Sequence, residues 1–261
     1  MFDLFSDIFT YRDNVLTRID PRTKLAIAMA ALVAIVTSGG AVLPSCALLL
    51  CLAIIAALRV PARLVALRLA APLSIVTVLI VLQTFITGTT PLFSFTLGGW
   101  AFTAKAEGLH RGFLLGTRVL GAVSVVFLLS LVTPAHRIFE ALRRFGISRD
   151  WLEIAVLTYR YIFVLMDRVA DLAAAQRLRL GYTAPGRALA SFTTLAGATI
   201  IHSFEQAERT HNAMRLRGYR GTMPFGTVPA MSRRDRWILA LSLSVIAAAR
   251  LAEWGVHKCG Q

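Results

Sequence analysis

The sequence predicts an all-α integral membrane protein, with about five transmembrane helices and a cytoplasmic set of amphipathic helices. Three observations predict it. The 261 residues are 56% hydrophobic and only 16% charged, where a soluble domain carries about 25% charged residues. The apolar residues are gathered into long continuous blocks, as a bilayer solvent demands, whereas barrel strands would alternate apolar with polar residues. The lysines and arginines collect on alternate sides of those blocks, which is the bias that sets orientation in a membrane.

The first apolar block runs from Leu25 to Leu58, broken by Thr37-Ser38-Gly39-Gly40 and Pro44. As one helix it would extend about 50 Å, too long for a hydrocarbon core of about 30 Å. Glycine and proline mark a turn, so the block reads as two short spans joined by a tight hairpin. A third span covers Leu69 to Ile86, and Thr87-Gly88-Thr89-Thr90-Pro91 opens a mostly uncharged loop to about Lys105. A fourth covers roughly Gly108 to Val132, stopped by Thr133-Pro134. From Pro134 to Arg236 sixteen arginines are scattered among apolar runs too short or too interrupted to span. Trp151 to Met166, with Glu153 and Arg160, and Ala188 to Ile201 read as amphipathic helices lying on the membrane surface or on one another. A last clean span, Trp237 to Trp254, follows Arg233-Arg234-Asp235-Arg236.

Orientation follows. Arg12, Arg18, Arg22 and Lys24 precede the first span, and Arg59, Arg63 and Arg68 separate the second from the third. The opposite side keeps only Lys105, Arg111 and Lys258 near its loops. The expected organisation is a cytoplasmic segment 1–23, a four-span region 24–132, a cytoplasmic region 133–236, and a final helix with its tail, 237–261, ending outside. The net charge of +14 then belongs to a cytoplasmic face meeting anionic lipid, with no nucleic acid as partner. Cys46 and Cys51 lie in an apolar block and Cys259 near the end of the sequence, which gives neither a disulfide framework nor zinc spacing. Some twenty mostly polar residues, including Asp3, Asp7 and Asp13, precede the first apolar run, unlike a cleavable signal.

ATP hydrolysis by this chain is tested by its lysines. A P-loop needs G-x-x-x-x-G-K-[ST], yet Lys24, Lys105 and Lys258 precede Leu25, Ala106 and Cys259. The chain reads as no enzyme, and any ATP chemistry must come from a partner. A rival reading is a membrane-embedded metal-dependent enzyme built on His202-x-x-Glu205-x-x-Glu208-x-x-His211, since Glu-x-x-His pairs ligate metals in some bundles. Those sites need carboxylates from other helices, and the plainer reading is an exposed face with Glu205 and Arg209 paired at i, i+4.

Gly108, Gly112 and Gly116 fall on one face of the fourth span, a spacing that lets a neighbouring helix approach closely. Ala240, Ser244, Ala248 and Ala252 repeat the small-residue pattern in the last span. Both read as packing of the chain's own bundle. Arg118 lies inside the fourth span, where it is either a functional group or paired with Glu107 or a backbone carbonyl.

A near-repeat is the most informative feature. Ala175-Gln176-Arg177-Leu178-Arg179-Leu180-Gly181-Tyr182 is echoed by Ala213-Met214-Arg215-Leu216-Arg217-Gly218-Tyr219. Each can be the last turn of a helix closed by glycine, with Arg facing the negative dipole end. Their duplication, with paired Arg on the cytoplasmic side, also suits a pair of docking knobs, because the planar guanidinium bonds bidentately to carboxylate or backbone oxygens.

These residues resemble the transmembrane coupling (T) component of energy-coupling factor transporters, in its cobalt-type CbiQ branch. Leu16-Thr17-Arg18-Ile19-Asp20-Pro21-Arg22-Thr23-Lys24 is similar to the family's N-terminal pattern. So are Glu107-Gly108, Thr133-Pro134, Ala175-Gln176 onward, and Ala213-x-x-x-Arg217-Gly218-Tyr219. The resemblance implies a subunit whose cytoplasmic coupling helices sit in grooves of two ABC-type ATPase subunits, which bind ATP and Mg, while this chain binds no cofactor. Its membrane part would hold a substrate-binding S component, for cobalt or nickel, in a bacterial inner membrane. Arg179 and Arg217, with Arg177, Gly181, Ala213, Arg215 and Gly218 around them, would inherit the ATPase contact. In the first motif Leu180 separates Arg179 from Gly181, so the key residue is Arg177 or Arg179.

Overall fold

The computed structural model describes residues 19–88, 91–97, 100–143, 146–221 and 231–259. Helices α1 (Pro21–Thr37), α2 (Val42–Ala57) and α3 (Ala62–Ile86) lead to strands β1 (Pro91–Leu97) and β2 (Trp100–Lys105). Helices α4 (Ala106–Val132), α5 (Ala135–Leu142), α6 (Arg149–Leu178), α7 (Pro185–Leu216) and α8 (Arg233–Cys259) follow. The chain divides into two compact units, one of Met1–Ile138 with Ala230–Gln261, the other of Phe139–Pro229.

In the first unit α1 begins on a built cap. The Asp20 carboxylate accepts from the Arg22 amide at 2.9 Å, and Pro21 at the first helical position supplies the right φ and no surplus N–H. The Asp20-Pro21-Arg22-Thr23-Lys24 run is thus, locally, a helix start. Ala28 and Ile35 of α1, Cys51 of α2 and Val125 of α4 form the buried core. Helix α4 reaches its neighbours through glycines. A Cβ on Gly108 would collide with the Gln83 carbonyl of α3, one on Gly112 would lie 3.0 Å from Ile80 Cα, and one on Gly116 2.8 Å from Val76 Cγ1. One face of α4 therefore lies nearly backbone to backbone on α3. A Cβ on Gly121, further along, would lie 2.9 Å from the Pro44 carbonyl oxygen of α2.

The architecture is that of an all-α membrane protein. Among the described helices, α3 and α4 are long and apolar enough to cross a membrane. Most of the α3 surface is exposed, including Leu67, Ile75, Val78, Leu82 and Ile86, as a helix facing lipid requires. Helices α1 and α2, at 17 and 16 residues, extend only about 25 Å.

Two differences from the sequence reading concern this unit. The segment between α3 and α4 is not a plain loop: β1 and β2 pair antiparallel, from Leu97 opposite Trp100 to Pro91 opposite Lys105. Its sequence carries the signal, since Phe93, Phe95 and Leu97 alternate with Ser94 and Thr96, and Gly98-Gly99 separate the two runs. The last span is not clean either. Glu253 of α8 accepts from Ser38 Oγ at 2.6 Å and from the Gly40 amide at 2.9 Å. Arg250 donates to Glu253 at 3.3 Å and to the Thr37 carbonyl at 2.8 Å. The end of α8 thus clamps the turn between α1 and α2. At the opposite end of α1, Lys24 Nζ donates to the Val132 carbonyl of α4 at 3.4 Å.

The second unit is an antiparallel hairpin of two long helices, α6 with 30 residues and α7 with 32. Both outrun the predicted 151–166 and 188–201 segments, because interleaved charges break the apolar runs without breaking the helix. Phe139, Tyr159 and Phe163 stack edge to face, with centroids 5.9 and 5.1 Å apart. Tyr161 and Thr210 share a hydrogen bond of 2.8 Å between α6 and α7. Bulky side chains keep the two backbones apart and leave a cavity of about 440 Å³ beside Leu157, Tyr161, Gln206 and Met214.

Candidate docking site at the two ends of a helical hairpin

The two halves of the near-repeat sit at opposite ends of this hairpin. Helix α7 alone extends about 48 Å, so the motifs are separated by about that distance. Each ends its helix in the same way. In the second, Gly218 N–H donates to the Arg215 carbonyl and Tyr219 N–H to the Met214 carbonyl, both at 3.0 Å. In the first, Leu180 N–H donates to the Arg177 carbonyl at 3.0 Å and Gly181 N–H to the Gln176 carbonyl at 2.9 Å. Both are Schellman closures.

Backbone position therefore aligns the motifs without ambiguity. Arg179 and Arg217 are the two C-cap residues. Arg177 matches Arg215, Ala175 matches Ala213, and Leu180 matches Gly218. The apparent insertion in the first motif vanishes: Leu180 itself takes the left-handed conformation, φ +57°, where Gly218 has φ +85°. That conformation costs a side-chain-bearing residue about 1–2 kcal/mol. Gly181 is needed for a different reason, since a Cβ there would strike Ser191 Oγ.

Each closure is tied down by the other helix. Ser191 of α7 donates to the Gly181 carbonyl at 3.0 Å. Tyr219 donates to the buried Glu153 carboxylate of α6 at 3.2 Å. Burial, this hydrogen bond, and the charges of Glu153 and Asp150 push the Tyr219 phenol above its ordinary value, so the donor stays protonated through neutral pH. Against these fixed ends, Arg177, Arg179, Arg215 and Arg217 are exposed. None of the four takes part in an ion pair or side-chain hydrogen bond among the described residues. The arrangement presents unpaired guanidinium groups on rigid backbone, suited to carboxylates or backbone carbonyls of another chain.

The other sequence candidates fare differently. His202, Glu205, Glu208 and His211 do not converge. Steps of three residues drift about 60° each around a helix, so His202 and His211 look to opposite sides. The Glu205 carboxylate lies 3.5 Å from His202 Nδ1 and accepts from Arg209 at 3.3 Å, while His211 lines the cavity beside Tyr161. No group of three or more His, Cys, Asp or Glu placed to hold a metal occurs among the described residues. Gly108, Gly112 and Gly116 are buried against α3. Arg118 does not reach Glu107, which lies about 16 Å away along α4, and its buried Nε has no hydrogen-bond partner. The Arg250–Glu253 clamp was missed, although two charges inside an otherwise apolar helix were its signal.

Known proteins resemble this chain over most of its length. The family model for CbiQ, described as a cobalt transport protein, matches residues 12–225. The cobalt transport protein CbiQ of Rhodobacter capsulatus is 34% identical over 47% of this chain and 51% of its own. A putative fused cobalt transport protein, CbiMQ, of Methanocorpusculum labreanum is 29% identical over 52% of this chain and 23% of its own. The energy-coupling factor transporter transmembrane protein EcfT of Bacillus selenitireducens is 26% identical over 92% of this chain and 93% of its own. The chain thus spans about half of the first of these relatives, under a quarter of the second and nearly all of the third.

Proposed function

We propose, because the chain belongs to the CbiQ family of cobalt transport proteins, that it is the transmembrane coupling component of an energy-coupling factor importer. In this reading two ABC-type ATPase subunits, which bind ATP and Mg, dock on the two ends of the α6–α7 hairpin. A separate membrane subunit, the S component, carries the substrate, cobalt or nickel. The name of the fused relative, a putative fused cobalt transport protein CbiMQ, supports a second component working beside this one.

One observation carries the reading. The same Arg-bearing closure occurs twice, at the two ends of one antiparallel hairpin, and each copy is pinned to the neighbouring helix. Closure of two ATPases on ATP changes the separation and tilt of the surfaces they offer. A hairpin gripped at both ends must follow that change by rotating or bending, and so transmits it.

The proposed topology places the N-terminus in the cytoplasm and the C-terminus outside a bacterial inner membrane, with α1–α4 and α8 as the five spans. Two contacts support it. The Lys24–Val132 bond joins ends assigned to the cytoplasmic side, and the Glu253 clamp joins ends assigned to the outer side.

The test replaces Arg179 and Arg217 by Ala together. Each truncation of a buried, hydrogen-bonded charge at an interface costs about 2–5 kcal/mol. The double variant should insert normally and keep its S component, but lose the ATPases on purification and lose coupled uptake. Arg160→Ala, on the exposed middle of α6, is the control and should change neither. Retention of the ATPases and of uptake by the double variant would sink the proposal.

A further inference from the structure

The geometry points to Leu178 and Leu216 as the apolar anchors of the two knobs, each seating in an apolar pit rimmed by carboxylates on a partner ATPase. This inference rests on the docking role proposed for Arg179 and Arg217. It adds what the arginines alone do not supply, and it predicts that the two sockets share one chemistry.

Exposure is the first observation. Leu216 is 90% exposed and Leu178 86%, more than any other large hydrophobic residue described. A single exposed leucine means nothing, since much of any protein surface is apolar. These two, however, occupy the same position in the two closures, the last helical residue before the C-cap Arg. The second observation is their flanks. Successive residues on a helix point about 100° apart, so Arg177 and Arg179 stand on either side of Leu178, as Arg215 and Arg217 do beside Leu216. None of these guanidinium groups has an ion-pair partner among the described residues.

The third observation is rigidity. The Ser191–Gly181 and Tyr219–Glu153 bonds fix the closing turns, so each leucine is held out from an ordered backbone. An apolar centre within a charged rim, already ordered, is the anatomy of an interface hot spot. Charge complementarity names the partner's rim as acidic. A soluble acidic socket is favoured over an anionic bilayer because the two leucines project from opposite ends of one hairpin, about 48 Å apart, and not from a common apolar stripe.

The experiment measures binding of the co-purifying ATPase subunits to the full chain in nanodiscs across a range of salt. Leu178→Ser/Leu216→Ser should weaken binding about 10- to 100-fold per site while leaving its salt dependence unchanged. Leu178→Met/Leu216→Met should restore it to within a few-fold. Arg179→Ala/Arg217→Ala should weaken binding and flatten the salt dependence. If the arginine variant releases the ATPases and the serine variant binds within two-fold of wild type, the anchors are wrong and the docking reading survives. If neither changes binding, both fail. A lipid role is separated by a fluorophore on Leu178→Cys, made with Cys46, Cys51 and Cys259 replaced by Ala. A blue shift on adding ATPases supports the inference. The same shift in phosphatidylglycerol nanodiscs without ATPases, absent in phosphatidylcholine, overturns it.

Discussion

Helices α3 and α4 meet almost backbone to backbone, through Gly108, Gly112 and Gly116. Helices α6 and α7 stand apart on tyrosines, leucines and a cavity of about 440 Å³, and at Gly186 and Gly197 of α7 an added Cβ would meet nothing within 4 Å. Both pairs are antiparallel neighbours in one chain, built on opposite principles. In lipid there is no hydrophobic drive to bring helices together, so association rests on close van der Waals approach, and small residues supply it. In the hairpin, polar links join the helices at the two ends and at Tyr161–Thr210, with the cavity between them. Such a pair can change its crossing angle without unpacking a core. The glycine seam leaves no room for such a change, whereas the hairpin can accommodate it while its ends remain defined.

The sharpest way to break this comparison is to put the same side chain in both seams. Gly108→Leu should cost about 3 kcal/mol through overpacking and lower the melting temperature in detergent. Gly197→Leu should be neutral or stabilising by up to about 1 kcal/mol, because a helical glycine without a packing role only costs entropy. Equal melting temperatures for the two would show that the α3–α4 contact is not tight.

A smaller effect is expected at the hairpin's end. Tyr219→Phe should cost about 2 kcal/mol, since it removes a hydrogen bond to a buried carboxylate, and amide exchange should quicken at residues 213–219 while the 161–210 link keeps its protection. The bond also has a pH signature. With the Tyr219 pKa raised above its ordinary value of 10.0, its contribution is fully present below about pH 10 and fades as pH climbs through the folded-state value. Loss of the 213–219 protection already at pH 8 would exclude the phenol as the group responsible.

The smallest effect distinguishes the two knobs. Leu180→Gly relieves a left-handed leucine but loosens the unfolded chain, for a net gain of about 0.5 kcal/mol. Gly218→Leu should lose about 1 kcal/mol at the equivalent place. Denaturation midpoints moving in the same direction for both would mean that the two closures are not equivalent.

How legible was all this in the sequence? The spans α3 and α4 and the turn at Ser38–Gly40 are visible as apolar runs and glycines, because a bilayer enforces composition directly. The duplicated motif is visible as letters. Its alignment is not: Leu180 and Gly218 look like an insertion until φ shows both in the left-handed region, and no propensity rule places leucine there. Helices α6 and α7 read too short, since Asp167, Arg168, Glu205 and Arg209 interrupt the apolar runs although arginine and glutamate are good helix formers. The β1–β2 hairpin is weakly signalled, because two short alternating runs around Gly98-Gly99 lie between much longer apolar helices and an isolated two-stranded ribbon is marginal by itself. The Arg250–Glu253 clamp depends on a partner some 213 residues away, and sequence periodicity carries no information about such a pairing.

That clamp has a consequence for how the chain is made. The Ser38 hydroxyl and the Gly40 amide share a single carboxylate acceptor, Glu253, and Ser38 lies 215 positions ahead of it. At the pace of synthesis, about 5–20 residues per second, the α1–α2 turn must wait roughly 10 to 40 seconds for that acceptor to emerge. Through that interval the first hairpin is a provisional structure, held by its own apolar packing and open to correction. Arrival of α8 closes it. The last helix thus acts as the latch on the first, and a chain cut short before Glu253 leaves the ribosome with that turn still unfastened.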